Sequence, residues 1–269
     1  MIRAFDFLET RCVVEFDDPV VGEWLDRLFW RFAAANHSPS VPPKFGVQAA
    51  EGGYRLLVGA EETHTGLSRE EAVMRLLVAL NRATVRNLKA VGIHGGAVLG
   101  PSGAVLFPGG PGAGKSTLTA ACGQLGMGYM TDEIVVFLKN GLIRPFPKPL
   151  WLSSWSRSVL KVDDASLAFA ALGFKAPVAP EDLGATTVDE DTKLSHIVLI
   201  DRSDDNAKID TASPTDGAAG MMANMYHLGQ HSRIAFSLAA EAVRQVPVFR
   251  LTLGNPLRAA ETLRRALAN

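Results

Sequence analysis

Eight consecutive residues, Gly109-Gly110-Pro111-Gly112-Ala113-Gly114-Lys115-Ser116, have the types and the spacing to hold a polyphosphate. They satisfy G-x-x-x-x-G-K-[ST] at every required position. Glycines allow several backbone N–H groups to converge on phosphate oxygens, and a helix starting at Lys115 would aim its positive end at the same point. The Lys115 ammonium would serve the β- and γ-phosphates, and the Ser116 hydroxyl would serve a bound Mg²⁺. Residues Gly109 to Ser116, with Thr117 following, are therefore the expected nucleotide contacts. The apolar run Ala104-Val105-Leu106-Phe107 before the loop and the helical pattern Leu118, Ala121, Leu125 after it give the strand–loop–helix setting that this chemistry requires.

A bound triphosphate also needs a carboxylate for the metal and a group to orient or deprotonate an acceptor. Asp132-Glu133, soon after the loop helix, and Asp201, at the end of the apolar run Ile197-Val198-Leu199-Ile200, compete for these duties, and spacing does not choose between them. His94 stands between an apolar stretch and Gly95-Gly96, where absent side chains permit close approach of backbone or ligand. His227 and His231 share i, i+4 spacing, but Gly229 interrupts that helix and no third ligand accompanies them, so a metal site there is not expected. Arg144, Lys148 and Arg157 flank a proline-rich segment and could contact an acidic acceptor, but the expectation is solvated surface charges. Ser153, Ser154, Ser156 and Ser158 have no partnered base, so none is expected as a nucleophile.

The elements that must position these groups are readable in outline. In the first 89 residues, Cys12 to Phe16 and Tyr54 to Val58 have strand character. Asp17 or Asp18 with Pro19 starts a helix whose apolar stripe is Val20, Trp24, Leu25, Leu28 and Phe32. His37 to Pro43 is a Ser/Pro-rich loop. Ser68 to Glu71 is a capping box opening a helix to about Leu88, with Val73, Leu76, Leu77 and Leu80 inward. Val91 to Leu99 and the glycine-loop strand form a hairpin across Pro101-Ser102-Gly103. Tyr129 to Phe137 has strand character, and Arg144 to Pro149 must be extended because of its alternating prolines. Asp163 to Asp191 is loop-rich, and Ser203 to Ser213 is a polar loop. Helical patterns cover Gly217 to Tyr226 and Arg233 to Arg244. Val246 to Leu253 is a strand before a last helix capped by Asn255 and begun by Pro256. The expected organisation is a small α/β domain over residues 1–89 and a P-loop nucleotide-binding domain over 90–269.

Lys+Arg 27 against Asp+Glu 28 gives a net charge of −1, so the field that would grip a nucleic-acid backbone is missing. Cys12 and Cys122 are distant and outside any CxxC, as expected of buried thiols in a reducing compartment. The N-terminus lacks the apolar core of a secretory signal, and no run of about 18 uncharged apolar residues occurs, so a cytoplasmic protein without membrane spans is expected.

From His94 onward, the order His94-Gly95, strand, glycine loop, Thr131-Asp132-Glu133 resembles the catalytic domain of HPr kinase/phosphorylase and its relatives. The fold implied is that of the C-terminal P-loop domain of this family, a mixed sheet with flanking helices. The resemblance favours Asp132 and Glu133 over Asp201. It implies ATP and Mg²⁺ as cofactors, Ser116 and Asp132 at the metal, Glu133 or Asp132 acting on the acceptor hydroxyl, and His94 near the reacting phosphate. The second acid is Glu where HPr kinases have Asp, and a second signature loop and the N-terminal domain of those enzymes have no counterpart here. The chain is more similar to shorter relatives in peptide-modification clusters, which include kinases of lasso-peptide precursors. The expected activity is thus an ATP-dependent serine kinase acting on a peptide or small protein, with catalytic residues His94, Lys115, Asp132 and Glu133. The alternatives are a kinase of a small molecule such as free serine and a non-catalytic nucleotide-binding switch. A homo-oligomer is compatible with the resemblance.

Overall fold

The computed structural model of the chain describes residues 1–34, 44–163, 175–203 and 206–268, except the side chains of Gln230 and His231. It divides into two compact units, one formed by Met1–Lys89 with Asp164–Pro177, the other by Ala90–Asp163 with Val178–Asn269. The expected loop over His37 to Pro43 and part of the loop-rich stretch after Asp163 lie outside the described residues.

In the first unit, strands β1 (Ile2–Phe7), β2 (Thr10–Phe16), β3 (Phe45–Ala50), β4 (Gly53–Val58) and β5 (Glu61–Leu67) form one sheet in sequential order. All neighbours are antiparallel except β2 and β3, whose parallel pairing requires the crossover that contains α1 (Pro19–Phe29). Asp18 caps α1 by accepting from the Val20 N–H at 2.9 Å. The buried face of α1 is Val21, Leu25, Leu28 and Phe29, so the expected stripe is rotated: Val20 and Trp24 are only half-buried, and Phe32 lies in a 3-10 turn beyond the helix. The reason is aromatic packing, because Phe29 meets Phe5 and Phe7 edge to face at 5.4 and 4.9 Å. Helix α2 (Arg69–Asn87) opens on the Ser68–Glu71 capping box and buries Val73, Leu76, Leu77 and Leu80.

The second unit is built on a mixed sheet. Its strands are β6 (Val91–Gly100), β7 (Gly103–Pro108), β8 (Gly128–Thr131), β9 (Ile134–Phe137), β10 (Leu142–Arg144), and three later ones described below. Strand β11 (Leu150–Ser153) and the short helix α4 (Ser154–Val159) follow, and β12 (Lys175–Val178) runs across the division between the units. Strand β13 (Thr192–Asp201) lies parallel to β7, and the fifteenth strand, Val248–Thr252, lies parallel to β13. The polar stretch Ser203 to Ser213 is not all loop: Lys208–Thr211 is β14, the antiparallel edge beside that last strand, β15. Its sequence, Lys-Ile-Asp-Thr, has the charge of an exposed edge and little apolar content, which hides it from a hydrophobic reading.

Helix α3 (Lys115–Gln124) follows β7, α5 (Pro214–Ala223) and α6 (Leu228–Gln245) follow β14, and α7 (Pro256–Leu267) ends the chain. Because side chains alternate along a strand, β6 turns Ile93 and Ala97 to one face and His94 and Gly96 to the other. The first face joins Leu106, Val135, Ile197, Met221 and Ala239 in a core shared with α5 and α6. On the other, α3 approaches so closely that a Cβ on Gly96 would stand 2.6 Å from Thr119 Oγ1. The architecture is thus α/β, with mixed sheets and flanking helices.

Candidate functional site

The β6–β7 hairpin sets the geometry. Its register pairs Gly95 with Pro108, so the chain leaves β7 beside His94, and the Gly109 N–H donates to the His94 carbonyl at 3.3 Å. On its other edge β6 pairs Ala97 with Thr131 in β8 and His94 with Ile134 in β9. Asp132 and Glu133 therefore occupy the bend between two strands, not the interior of the single strand expected from Tyr129 to Phe137. The Gly95 N–H donates to the Glu133 carbonyl at 3.1 Å. One strand thus carries the glycine loop on one side and the acid pair on the other. Gly95 and Gly96 are needed for that closeness, since a Cβ at Gly95 would lie 3.0 Å from the Phe107 carbonyl oxygen.

The loop itself needs two left-handed residues, Gly112 at φ +81° and Gly114 at φ +97°, which glycine adopts without steric cost. Gly114 is the N-cap of α3, and a Cβ there would run into Leu253 at the end of β15. Lys115 is 5% exposed, and its ammonium donates to the Gly110 carbonyl at 2.8 Å. Ser116 is half-buried in the first turn of α3; next to it, Thr117 Oγ1 is 2.8 Å from Ser156 Oγ. Pro111 and Gly112 are exposed, while Gly109, Gly110, Ala113 and Gly114 are partly covered. Arg202, just past β13, donates to the Gly112 carbonyl at 3.2 Å, a contact that the sequence did not suggest.

Asp132 is 3% exposed and Glu133 half-buried. Their charges are met by Lys148, whose ammonium lies 2.8 Å from Glu133 Oε2 and 3.3 Å from Asp132 Oδ1. The expectation of a solvated Lys148 is therefore corrected: it is 6% exposed, as Arg157 is 3% exposed with Nη1 donating to the Leu152 carbonyl at 3.0 Å. Arg144 does stay exposed, paired with Asp191 at 3.3 Å. The signal available in the sequence was a lone charge between Pro147 and Pro149 in an otherwise apolar run ending at Leu152. The prolines fix the backbone, and the Tyr129 hydroxyl donates to the Lys148 carbonyl at 2.7 Å. Burial pulls the Lys148 pKa down, but the facing Asp132 and Glu133 outweigh it and hold the ammonium above its ordinary range. The Tyr129 phenol is pushed far up by burial and then by the negative Asp132.

His94 is half-buried, with its backbone N–H donating to the Asn224 carbonyl at 2.7 Å and its ring stacked 6.0 Å from that of Tyr226. Burial lowers its pKa, and the nearby Lys115 lowers it further, against the opposing pull of Glu133 and Asp132. Near neutral pH it is an uncharged imidazole. Four of the sequence-selected groups, His94, Lys115, Asp132 and Glu133, thus share one electrostatic neighbourhood with Lys148. The half-exposed Asp201 carboxylate is paired with Arg250 at 3.1 Å. His227 is the left-handed N-cap of α6 rather than a residue within the helix, and the His231 side chain lies outside the described residues. Ser153 caps α4, its hydroxyl accepting from the Ser156 N–H.

Among the described residues, no group of three or more His, Cys, Asp or Glu gathers as a metal cage. A hydroxyl at Ser116 and a carboxylate at Asp132 are hard oxygen donors, the set that suits Mg²⁺ when phosphate oxygens complete its shell. Cys12 and Cys122 are buried, and burial pushes both thiols up to about 12, so neither is a nucleophile. Among the described residues, no helix is long and apolar enough to cross a membrane. No family model matches the chain, and no curated protein matches it either.

Proposed function

We propose that the second unit is a P-loop kinase domain of the HPr kinase type, which transfers the γ-phosphoryl group of ATP to a serine-type hydroxyl of a peptide or small protein. The observation that carries this reading is the register of β6, which sets His94 and the acid pair beside a loop whose buried lysine opens a helix. Loop N–H groups and the α3 terminus would receive the phosphates, and Lys115 would exchange its Gly110 carbonyl for phosphate oxygen. Ser116 and Asp132 would hold Mg²⁺, which supplies charge neutralisation for the phosphates. Glu133 takes the proton of the acceptor hydroxyl as its oxygen bonds to phosphorus. The bond from phosphorus to the bridging oxygen breaks, and ADP leaves with that electron pair. Neutral His94 donates a hydrogen bond toward the transferring group without adding another positive charge to the two ammoniums. Positioning and charge stabilisation supply most of the rate in such chemistry.

The test is incubation with γ-labelled ATP and Mg²⁺ beside Ser-ended peptides and free serine, with the phosphate located by mass spectrometry. Label on a peptide hydroxyl supports the proposal, whereas label on free serine alone makes the acceptor a small molecule. ATP bound with no transfer to any acceptor or to water would leave a nucleotide-binding switch. Failure to bind ATP at all sinks the reading.

A further inference from the structure

Lys148 is a buried cation beside the acid pair to which the phosphate chemistry assigns no role of its own. Its surroundings are built for an ammonium. The backbone is fixed on both sides, the Lys148 N–H donating to the Phe146 carbonyl at 2.8 Å and the Lys148 carbonyl accepting from Tyr129. The Phe146 N–H in turn donates to the Met130 carbonyl at 2.9 Å, which ties the segment to β8, two residues before Asp132. The Nζ donors have Glu133 Oε2 at 2.8 Å, Asp132 Oδ1 at 3.3 Å and the Pro149 carbonyl at 3.5 Å as acceptors. The two adjacent carboxylates, one of them nearly fully buried, both face the Lys148 ammonium, whose positive charge offsets their mutual repulsion.

This arrangement has a consequence for metal entry. A divalent ion approaching Asp132 meets an ammonium already bonded to the same carboxylate. At the effective dielectric of a protein, a unit charge a few ångströms away changes an ion's affinity by well over tenfold. A nucleotide brings several negative charges of its own, which offset both Lys115 and Lys148. We propose that Lys148 is the resident counter-ion of Asp132 and Glu133, a positioning residue that makes metal binding conditional on the nucleotide. The metal then enters as a metal–nucleotide complex and not as the free ion. The inference rests on the nucleotide-site reading only for its second half; the competition between Lys148 and a cation can be measured without ATP.

The experiment is titration of the nucleotide-free full chain with Mn²⁺ alone, the free ion being counted by electron paramagnetic resonance. The wild type is expected to bind only in the millimolar range, and Lys148→Met and Lys148→Gln at least tenfold more tightly. Lys148→Arg, which keeps the charge, should behave as the wild type. Adding Asp132→Asn to Lys148→Met should abolish the gain. Equal Mn²⁺ affinity in the wild type and the neutral variants overturns the proposal, as does a gain that survives Asp132→Asn. If neither neutral variant folds, the wild type still decides. Micromolar Mn²⁺ binding without ATP overturns it, and weak binding that tightens at least tenfold when ATP is added, beyond the Mn²⁺ held by the same ATP without protein, supports it. A protein that binds no ATP would sink the kinase reading yet leave the Mn²⁺ comparison intact.

Discussion

Replacing Lys115 by Met separates a phosphate ligand from a structural pin. Lys115 is 5% exposed, and its ammonium donates to the Gly110 carbonyl at 2.8 Å. A hydrogen bond from a charged group contributes about 1.5–3 kcal/mol net. Against this, holding an ammonium out of water costs several kcal/mol, which Met avoids while filling nearly the same volume. The two contributions oppose each other and are of like size, so the stability of Lys115→Met should stay within about 1 kcal/mol of wild type, read from urea unfolding. Phosphoryl transfer should behave differently. Loss of the cation facing the β- and γ-phosphates should lower kcat/KM at least ~100-fold, about 2.7 kcal/mol of transition-state stabilisation. Destabilisation by more than ~3 kcal/mol would instead make Lys115 a pin for the loop, at the scale of breaking a buried polar contact. Near-normal transfer in a folded variant would refute the assignment of the loop.

Two further substitutions test the division of labour between acids and imidazole. Asp132→Asn should raise the Mg²⁺ concentration needed for transfer sharply. Asp201→Asn, whose carboxylate makes a half-exposed pair with Arg250, should leave it unchanged and alter stability by no more than about 1 kcal/mol. The reverse ordering in a Mg²⁺ titration would move the metal role to Asp201. For His94, burial and Lys115 lower the folded-state pKa below the unfolded value of about 6.5, so below that pH the unfolded chain binds the extra proton. Its contribution to stability is thus fully present above pH ~6.5 and is lost as pH falls toward the depressed folded value. His196 is also lowered by burial and adds the same sign, so the comparison must be made against His94→Gln. Wild type should lose stability more steeply than that variant on acidification from pH 7 to 5; an equal or shallower slope would show that His94 is not held neutral.

The features legible from the order of residues are local. The Ser68–Glu71 capping box, the Asn255-Pro256 helix start, the Pro101-Ser102-Gly103 hairpin and the strand before Gly109 all depend on residues within a few positions of one another. Their chemistry is therefore complete in the letters. Whatever rests on strand register emerges only in the folded chain. Which groups the glycine loop meets follows from strand pairing: β6 carries the loop hairpin on one edge and the acid-pair bend on the other, while β13, parallel to β7, brings Arg202 to the Gly112 carbonyl, and no local residue pattern encodes those pairings. The rotation of the α1 stripe was decided by Phe5 and Phe7 arriving from a strand that the apolar alternation alone does not reveal. Lys148 is the clearest case. Its charge argues for solvent, and only the fold brings two carboxylates close enough to compensate the cost of burying it.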